Sequence, residues 1–490
     1  MREHLPALQV LVPLFGALLC ALVRRPRAAW LIAAVVSWIV PVIAVMLLAQ
    51  VLGTGVVSYH LGGWDPSIGI EYRVDALNGL ILVLVSGMAA VIAPFARRSV
   101  AAEVETGRVA WFYTMYLLAL TGLLGIAITG DAFNAFVFLE ISSLSSYALI
   151  ALGSHRRALV AAYQYLVLGT IGATFYVIGV GLIYVMTGTL NLGLMAERIG
   201  AVQSTRPVLA ALAFITVGIS LKLALFPLHV WLPNAYAYAP STATVFMAAT
   251  ATKVAIYLLV RFLFSVFGVG FVIADLPVTP ILTVFSVAAI FAAATVAVFQ
   301  SDAKRMFAYS SVAQVGYITL GVALATATSL KGGLIHIVGH ALAKGGLFMA
   351  LGAVTMRSRA FDIDDLCGIG RRMPLTMAAV VVAGLSLIGV PGTIGFVSKW
   401  YLVVAAFERG WWWLAFLIVA SSLITVVYIG RFVEAAWFRE PSAAAMGATE
   451  APVSMLVPIW LLAVATVFLG LDARLPAGIA EQAASALGLR

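Results

Sequence analysis

Four lysines, Lys222, Lys253, Lys344 and Lys399, stand inside long apolar stretches of the sequence. If those stretches cross a membrane, each charge costs at least ~2.5–3.5 kcal/mol at the bilayer centre, so its presence needs a functional reason. One alternative is that each long side chain bends back to the membrane surface. Lys253 argues against that alternative, because it lies near the middle of the predicted span 240–267, roughly 20 Å from either end at 1.5 Å per residue.

One carboxylate, Glu140, matches the lysines in depth. It lies in "DAFNAFVFLEISSLSSYAL", where Asp131 stands at the helix start and can be explained as a helix-end residue. Burial alone favours the neutral form of an acid and of a lysine, but when they face each other both can stay charged. A proton that moves onto either member then changes the charge state of the pair, which is the chemistry of a proton relay. The alternative is a static ion pair that only holds helices together.

A third group of ionisable residues lies in "KGGLIHIVGHALAKGGLFM". His336, His340 and Lys344 are spaced i, i+4 and i+8, which aligns them along one face of a helix. Histidine is the side chain whose ordinary pKa lies nearest neutrality, so this stripe is suited to carrying protons. One alternative is a pair of hydrogen-bonded core histidines. Another is a metal site, which the lysine and the lack of a third ligand nearby disfavour, and we predict no metal here.

The composition places these residues in a membrane protein. The chain has 490 residues, of which 63% are hydrophobic and 10% charged, and its mean hydropathy is +1.08. A helical span needs about 20 apolar residues, and this criterion predicts an all-α polytopic membrane protein with a single membrane domain, residues 1–490. The fourteen predicted spans are 5–23, 28–52, 75–96, 109–129, 132–152, 158–187, 207–231, 240–267, 277–300, 304–326, 331–356, 374–405, 411–438 and 453–472.

The connections between spans limit the chemistry of this chain. The longest polar ones, 53–74, 188–206 and 357–373, are too short for a soluble domain, which excludes an ATPase, a nucleotide-binding fold and a redox-cofactor domain. We therefore predict no cofactor and no catalytic group in this chain, and whether it forms part of an enzyme stays open. The net charge of +9 is typical of basic cytoplasmic loops. No basic patch with interleaved aromatic residues points to nucleic acid.

Two of the spans are interrupted. Pro227 and Pro233 lie at the end of span seven, and Pro391 lies in "GVPGTIG" within span twelve. In transporters, paired interruptions at corresponding positions of two halves mark the transport site. The layout predicts two inverted five-helix repeats, spans 4–8 (109–267) and spans 9–13 (277–438), preceded by spans 1–3 (1–108) and followed by span 14 (453–472).

The basic residues of alternate loops predict the orientation, because cytoplasmic loops carry more of them. One side carries sixteen and the other nine, which predicts that both termini face outward. The predicted cytoplasmic residues are Arg24, Arg25, Arg27, Arg97, Arg98, Arg108, Arg156, Arg157, Lys304, Arg305, Arg357, Arg359, Arg371, Arg372, Arg431 and Arg439. The predicted outer residues are Arg2, Arg73, Arg198, Arg206, Arg261, Lys331, Arg409, Arg474 and Arg490.

Several motifs resemble a known family. They are "GWDPSIGIEYRVDALNG", "FLEISSLSSYALI", "KLALFPLHVWLPNAYAYAPSTATVFMAATATKV" and "HIVGHALAKGGLF". Over nearly its whole length the chain resembles the antiporter-like subunits shared by respiratory complex I, Mrp-type cation/proton antiporters and membrane-bound hydrogenases. The proton-carrying residues that this resemblance implies are Glu140, Lys222, Lys253, His336, His340, Lys344 and Lys399.

The resemblance also implies a role for each of these residues. Glu140 pairs with Lys222 at the broken helix, Lys253 passes protons toward the second half, and Lys399 lies at an outward-connected half-channel. The two histidines and the lysine of span eleven form the relay between them. Tyr236 departs from the pattern, because many relatives have histidine there. His229 is left open between a cytoplasmic-side proton-uptake group and an ordinary interfacial residue.

Lysine at position 399, where one type of complex I subunit usually has glutamate, leans the subtype toward MrpD, one of the subunits of Mrp antiporters. The expectation is therefore a proton-translocating subunit of a Na⁺/proton antiporter in the bacterial inner membrane, assembled with other integral membrane subunits. The alternative is a proton-pumping subunit of a complex I-like NADH:quinone oxidoreductase or a membrane-bound hydrogenase. A third class is a stand-alone solute carrier, or a structural membrane subunit with static ion pairs.

Overall fold

The computed structural model describes residues 2–489, and its N-terminal part carries the one feature that departs from an all-helical chain. Strands β1 and β2 pair antiparallel, with Val57 opposite Val74. Four-residue strands are too short to give a periodic signal, so the all-α prediction missed this hairpin. Asp75 follows directly and caps the next helix by accepting from the backbone N–H groups of Leu77 and Asn78. The elements are α1 (Leu5–Val23), α2 (Pro26–Thr54), β1 (Val57–His60), β2 (Glu71–Val74) and α3 (Ala76–Glu103).

The next group of helices corresponds to predicted spans 4–8. Its elements are α4 (Val109–Ile128), α5 (Ala132–Ala151), α6 (Arg157–Thr187), α7 (Leu192–Ile199), α8 (Arg206–Leu223), α9 (Trp231–Tyr238), α10 (Ser241–Ala249) and α11 (Ala251–Val260). The last of these continues as a π-helical turn, Arg261–Val266, and a second π-helical turn covers Phe271–Asp275. The eight-residue α7 was not predicted, because it is too short for the membrane-span criterion.

The remaining helices cover predicted spans 9–14. They are α12 (Val278–Val298), α13 (Ala303–Ala323), α14 (Ala327–Ser358), α15 (Ile369–Arg372), α16 (Pro374–Ile388), α17 (Ile394–Glu408), α18 (Trp412–Phe438), α19 (Ala443–Met446), α20 (Val453–Leu471) and α21 (Arg474–Ala486). The C-terminal α21 was not predicted, because its sequence mixes polar and apolar residues and falls below the hydropathy of a span.

The membrane architecture agrees with the prediction. Within residues 2–489, thirteen helical segments are long and apolar enough to cross a membrane, and the broken pair α16 and α17 supplies a fourteenth crossing. Burial separates the crossings into a centre and a periphery. The most apolar windows of Ser241–Val266, Ala303–Ala323 and Ala327–Ser358 are 94% buried, against 39% in α6, α18 and α20. Two of the four lysines, Lys253 and Lys344, lie on these central helices.

The first helix break lies between α8 and α9. Ala224 adopts a left-handed backbone conformation with φ of 59°, and the chain stays non-helical through Pro227 until α9 begins at Trp231. The indole N–H of Trp231 donates to the carbonyl of Leu221 at 2.9 Å and ties the two sides of the break together. The prediction that Pro233 breaks the helix is wrong. It is the third residue of α9, where proline is tolerated because first-turn N–H groups have no acceptor within the helix.

The second break separates α16 from α17. Gly389 and Gly392 have φ of 91° and 88° and flank Pro391, so the predicted interruption lies where the sequence places it. A Cβ on Gly395 would lie 1.8 Å from the carbonyl oxygen of Ser386, so only glycine allows the two helix segments to approach this closely. The carbonyls at the end of α16 are thereby left without helical donors.

Two residues assigned to loops by the charge count lie inside the protein instead. Arg261 stands in the π-helical turn after α11 with its side chain 11% exposed, paired with Asp75. Lys304 is buried in the first turn of α13 and donates to the hydroxyl of Ser241 at 3.1 Å. Both stand near a predicted span boundary, and a hydropathy window cannot tell whether a boundary residue faces water or protein.

Candidate functional site

Glu140 on α5 and Lys222 at the end of α8 lie next to each other. The Lys222 Nζ is 3.6 Å from Oε1 of Glu140 and donates to the Ser143 hydroxyl at 2.7 Å. The lysine side chain is 5% exposed and the glutamate side chain 25%. A cavity of about 30 Å³ beside Lys222 is lined by Ser142, Ser143 and other residues. That volume is enough for about one water molecule, so the pair lies beside a small space in which a proton carrier fits.

Lys253 lies at the centre of the structure and is fully buried. Its ammonium donates to the backbone carbonyl of Ala248 and, at 3.4 Å, to the Thr252 hydroxyl. The carbonyl is accessible because the helix is interrupted at Thr250, where φ is −125° and ψ is −54° and α10 gives way to α11. Within residues 2–489, no carboxylate lies within 4.0 Å of this nitrogen, so neutral acceptors alone hold it.

The histidines of α14 lie on one face, as their spacing predicts, with ring centroids 6.4 Å apart. His336 is held at both nitrogens, by Ser398 of α17 at Nδ1 (2.8 Å) and by the side-chain oxygen of Gln314 at Nε2 (2.9 Å). Since an amide oxygen only accepts, Nε2 carries the proton in this arrangement. His340 is buried and neither ring nitrogen has a partner within the described chain. It is therefore the member of the stripe with free capacity to accept or donate a proton.

Lys344, one turn further along α14, is bound by α13. Its Nζ donates to the carbonyl of Phe307 and to the Ser310 hydroxyl, both at 2.8 Å. Ser310 in turn lies 2.7 Å from the hydroxyl of Tyr428 on α18. As for Lys253, these acceptors are neutral, and a neutral acceptor can bind an ammonium or an amine.

Lys399 uses the second helix break. Its Nζ donates to the carbonyls of Leu387 and Ile388 at 3.1 and 2.9 Å, which are the end-of-helix groups that the break leaves free, and to Ser422 at 3.0 Å. The nitrogen also lies 4.3 Å from the ring centroid of Tyr317, a favourable cation–π arrangement. Within the part of the chain described, it too has no carboxylate partner.

A polar network joins Lys399 to the histidine stripe. The amide nitrogen of Gln314 donates at 3.4 Å to the carbonyl of Leu387, which also accepts from Lys399, while its oxygen contacts His336. Tyr317 adds a second contact, because its ring lies 5.5 Å from that of His336. The second break and the middle of α14 are thus connected through α13.

These partners in the network could not be identified from the sequence as functional. Gln314, Ser310 and Tyr317 lie on α13, whose only signal is a run of small polar residues in "YSSVAQVGY". Ser398 precedes Lys399 and looks like an ordinary helix residue. Which of these side chains faces α14 depends on how helices distant in sequence pack, and single-helix periodicity does not contain that information.

The other predicted positions lie outside this network. His229, in the first break, stacks on Phe226 at 5.3 Å and packs edge-on against Tyr309 at 6.3 Å, and it contacts none of the lysines described above. Asp131 caps α5 by accepting from Asn134 N–H at 2.6 Å. Residues 2–489 contain no group of three or more His, Cys, Asp or Glu side chains placed to bind a metal, and no metal ligands are assigned.

Ser143→Ala tests the contact between α5 and Lys222. Removing this acceptor leaves a buried ammonium one hydrogen bond short, a penalty of about 1–3 kcal/mol. We expect proton translocation to fall several-fold in reconstituted vesicles, with normal assembly. Ser145→Ala is the matched control, because that hydroxyl bonds only the carbonyl of Ile141 in its own helix. Equal activity of the two variants would contradict a role for the Ser143 contact.

The fold and this network define a class: a polytopic membrane protein with two broken helices and a buried line of lysines and histidines. A family model described as "NADH:quinone oxidoreductase/Mrp antiporter, TM" matches residues 129–425, and the chain belongs to this family. Both breaks and all seven predicted proton-carrying residues lie within the matched region.

Relatives of two kinds resemble the chain. NADH-quinone oxidoreductase subunit N of Desulforudis audaxviator is 44% identical over 96% of each chain. A D-type subunit of the Na⁺/H⁺ antiporter of Alkalihalophilus pseudofirmus is 29% identical over 88% of this chain and 86% of its own. Among solved structures, a chain of the Mrp complex from Dietzia sp. superposes with a TM-score of 0.90 at 26% identity, covering 99% of this chain and 97% of its own. The antiporter-like family is thus the one expected, while the D-type antiporter protein is the less similar of these two curated relatives.

Proposed function

We propose that this chain is a proton-translocating subunit of a redox-driven, complex I-like respiratory assembly in the membrane. The observation that carries the proposal is Lys253, a fully buried lysine held only by a backbone carbonyl and a hydroxyl. A lysine bound by neutral acceptors can gain and lose a proton without leaving an unpaired carboxylate behind. The need to bury such a group is hard to explain by stability alone, because desolvating a charge costs more than neutral contacts return.

The first step of the proposed mechanism takes place at Glu140 and Lys222. While the carboxylate stays 3.6 Å away it stabilises the charged lysine, and any movement that separates the two favours release of the proton. The break after Leu223 allows such movement, because the end of α8 is not held by continuous helical hydrogen bonds on its far side. Glu140 is therefore the group that sets the charge state of Lys222.

Later steps pass the proton through α11, α14 and α17. Lys253 lies within electrostatic range of His336, His340 and Lys344. Like charges in a low-dielectric interior repel strongly, so a proton on Lys253 disfavours one on its neighbours and pushes charge along the line. Lys399, joined to His336 through Gln314, is the last member. In this proposal the face carrying the β-hairpin points outward, and the arginine-rich face points to the cytoplasm of a bacterium.

Redox coupling is preferred to Na⁺ antiport because of relative similarity. The oxidoreductase relative is 44% identical over nearly the whole chain, against 29% for the antiporter relative. Electron-transfer chemistry would reside in partner subunits, since no soluble domain exists within residues 2–489 to carry it. The second candidate, a Na⁺/proton antiporter subunit, is favoured by the superposition on the Mrp complex.

One experiment separates the two candidates. The chain is tagged in its native host, purified with its partners and reconstituted into vesicles that report internal pH. We expect quinone reduction to drive proton uptake, and replacing Na⁺ by choline to change the rate by less than about twofold, because the buried groups described here are proton carriers. Proton movement driven by a Na⁺ gradient, without any electron donor, would instead support the antiporter. Absence of proton movement under both conditions would refute both.

A further inference from the structure

A water-accessible pocket of about 430 Å³ opens on the face that carries the β-hairpin. It lies between the start of α3, the short helix α7 and the end of α11. Arg73 and Glu197 stand exposed at its edge, and neither forms an ion pair within the described chain. Charged side chains of both signs at the mouth keep the pocket wet, so water reaches its floor.

An ion pair forms the floor of this pocket. Arg261 contacts Asp75 through two nitrogens, NH1 to Oδ2 at 2.8 Å and NH2 to Oδ1 at 2.9 Å, and the side chains are 11% and 14% exposed. The remaining donors of Arg261 reach the hydroxyls of Tyr257 at 3.3 Å and Ser265 at 3.4 Å. This bidentate geometry is the strong form of an arginine–carboxylate contact.

Tyr257 links the floor to the centre of the protein. Lys253, Tyr257 and Arg261 are spaced i, i+4 and i+8 along α11 and its π-helical continuation, so they follow one helix face. Tyr257 lines the pocket and is one helical turn, about 5.4 Å of rise, from Lys253. The central lysine is therefore separated from water on this face only by a tyrosine and an ion pair.

We propose that the Asp75–Arg261 pair, together with Tyr257, is a closed gate between Lys253 and the hairpin face. The gate gives the first half of the protein its own exchange path with that face, in addition to the one expected beside Lys399. This inference rests on the proposed proton-translocating function. The ion pair blocks water while it is closed, and a swing of the long Arg261 side chain opens it without unfolding α3, because Asp75 keeps its capping bonds.

The simpler explanation is that the pair only fastens α3 to α11. A partly buried ion pair is weak evidence for stability, because desolvation offsets much of its attraction. The two explanations differ in one measurable property, which is whether removing the pair admits water to Lys253 specifically or loosens the structure as a whole.

The test measures thiol reactivity in the full complex. Cys20 and Cys367, the two native cysteines, are replaced by serine, and Lys253→Cys is labelled with a membrane-impermeant methanethiosulfonate applied to the hairpin face of sided vesicles. We expect Arg261→Gln to speed labelling about tenfold or more, the equivalent of 1.4 kcal/mol of opening. Arg261→Lys, which keeps the charge opposite Asp75, should restore slow labelling. Asp75→Asn should act like Arg261→Gln, since asparagine also caps a helix.

Ser37→Cys serves as the control for general loosening, because Ser37 is fully buried on α2, away from the pocket. It should stay unreactive in every background. Unchanged labelling at position 253 after Arg261→Gln would overturn the gate, and so would equal acceleration at position 37. Because labelling needs no transport, a failure of the gate is distinguishable from a failure of the proposed function, which the variants of Glu140 and Lys222 test.

Discussion

Lys253→Met is expected to reduce proton translocation by about tenfold or more, because proton transfer by a positioned group contributes at least that much. Methionine has nearly the length of lysine without its charge, so it fills the same space between α10 and α11. The Ala248 carbonyl loses its donor, but the protein no longer has to desolvate an ammonium. The complex is therefore expected to assemble with an unfolding midpoint close to that of the parent. Vesicle pH changes and thermal unfolding of the purified complex measure the two effects.

Lys331→Met is the matched control. Lys331 lies on α14, the helix that carries Lys344, but it pairs with Glu481 at 2.8 Å with side chains 19% and 67% exposed. Exposed pairs of this kind contribute roughly 0–1 kcal/mol, so both translocation and stability should change little. Normal translocation by Lys253→Met, with the complex intact, would show that the central lysine is structural.

The sequence predicts the membrane architecture well because hydropathy and length define a span. The breaks at Pro227 and Pro391 were found because proline and glycine mark them. Pro233 was misassigned, since a proline signals a helix boundary without saying on which side the helix lies. The interruption at Thr250 contains neither residue and gave no signal, although it supplies the carbonyl that holds Lys253.

The ionisable residues were identifiable for a different reason. A charge in an apolar span has a cost that composition alone does not explain, so Glu140 and the four lysines stood out. Their neutral partners have no such cost. Gln314 and Ser398 contact His336 only because α13 and α17 pack on either side of α14, and that register is set by packing between helices rather than by any one helix. The proton-carrying roles of all these residues stay predictions until variants are measured.

The second large effect is expected at Glu140 and Lys222, and it decides between a relay and a static ion pair. In a relay, Glu140→Gln and Lys222→Met should each reduce translocation by about tenfold or more, and the double variant should be no worse than the more damaging single one, because groups that act as a unit are not additive. In a static pair, translocation should survive. Stability should then fall in each single variant, which strands one partner, and recover in the double variant.

The structure favours the first outcome, because the pair is not closed as a static bridge would be. The Nζ–Oε1 distance is 3.6 Å, Lys222 has Ser143 as an alternative acceptor at 2.7 Å, and Oε1 of Glu140 accepts no hydrogen bond within the described chain. A lysine with two acceptors of different charge can shift between them, and each position favours a different protonation state. Translocation and unfolding measured on all four proteins test this directly, and intact translocation in the double variant would remove Glu140 and Lys222 from the mechanism.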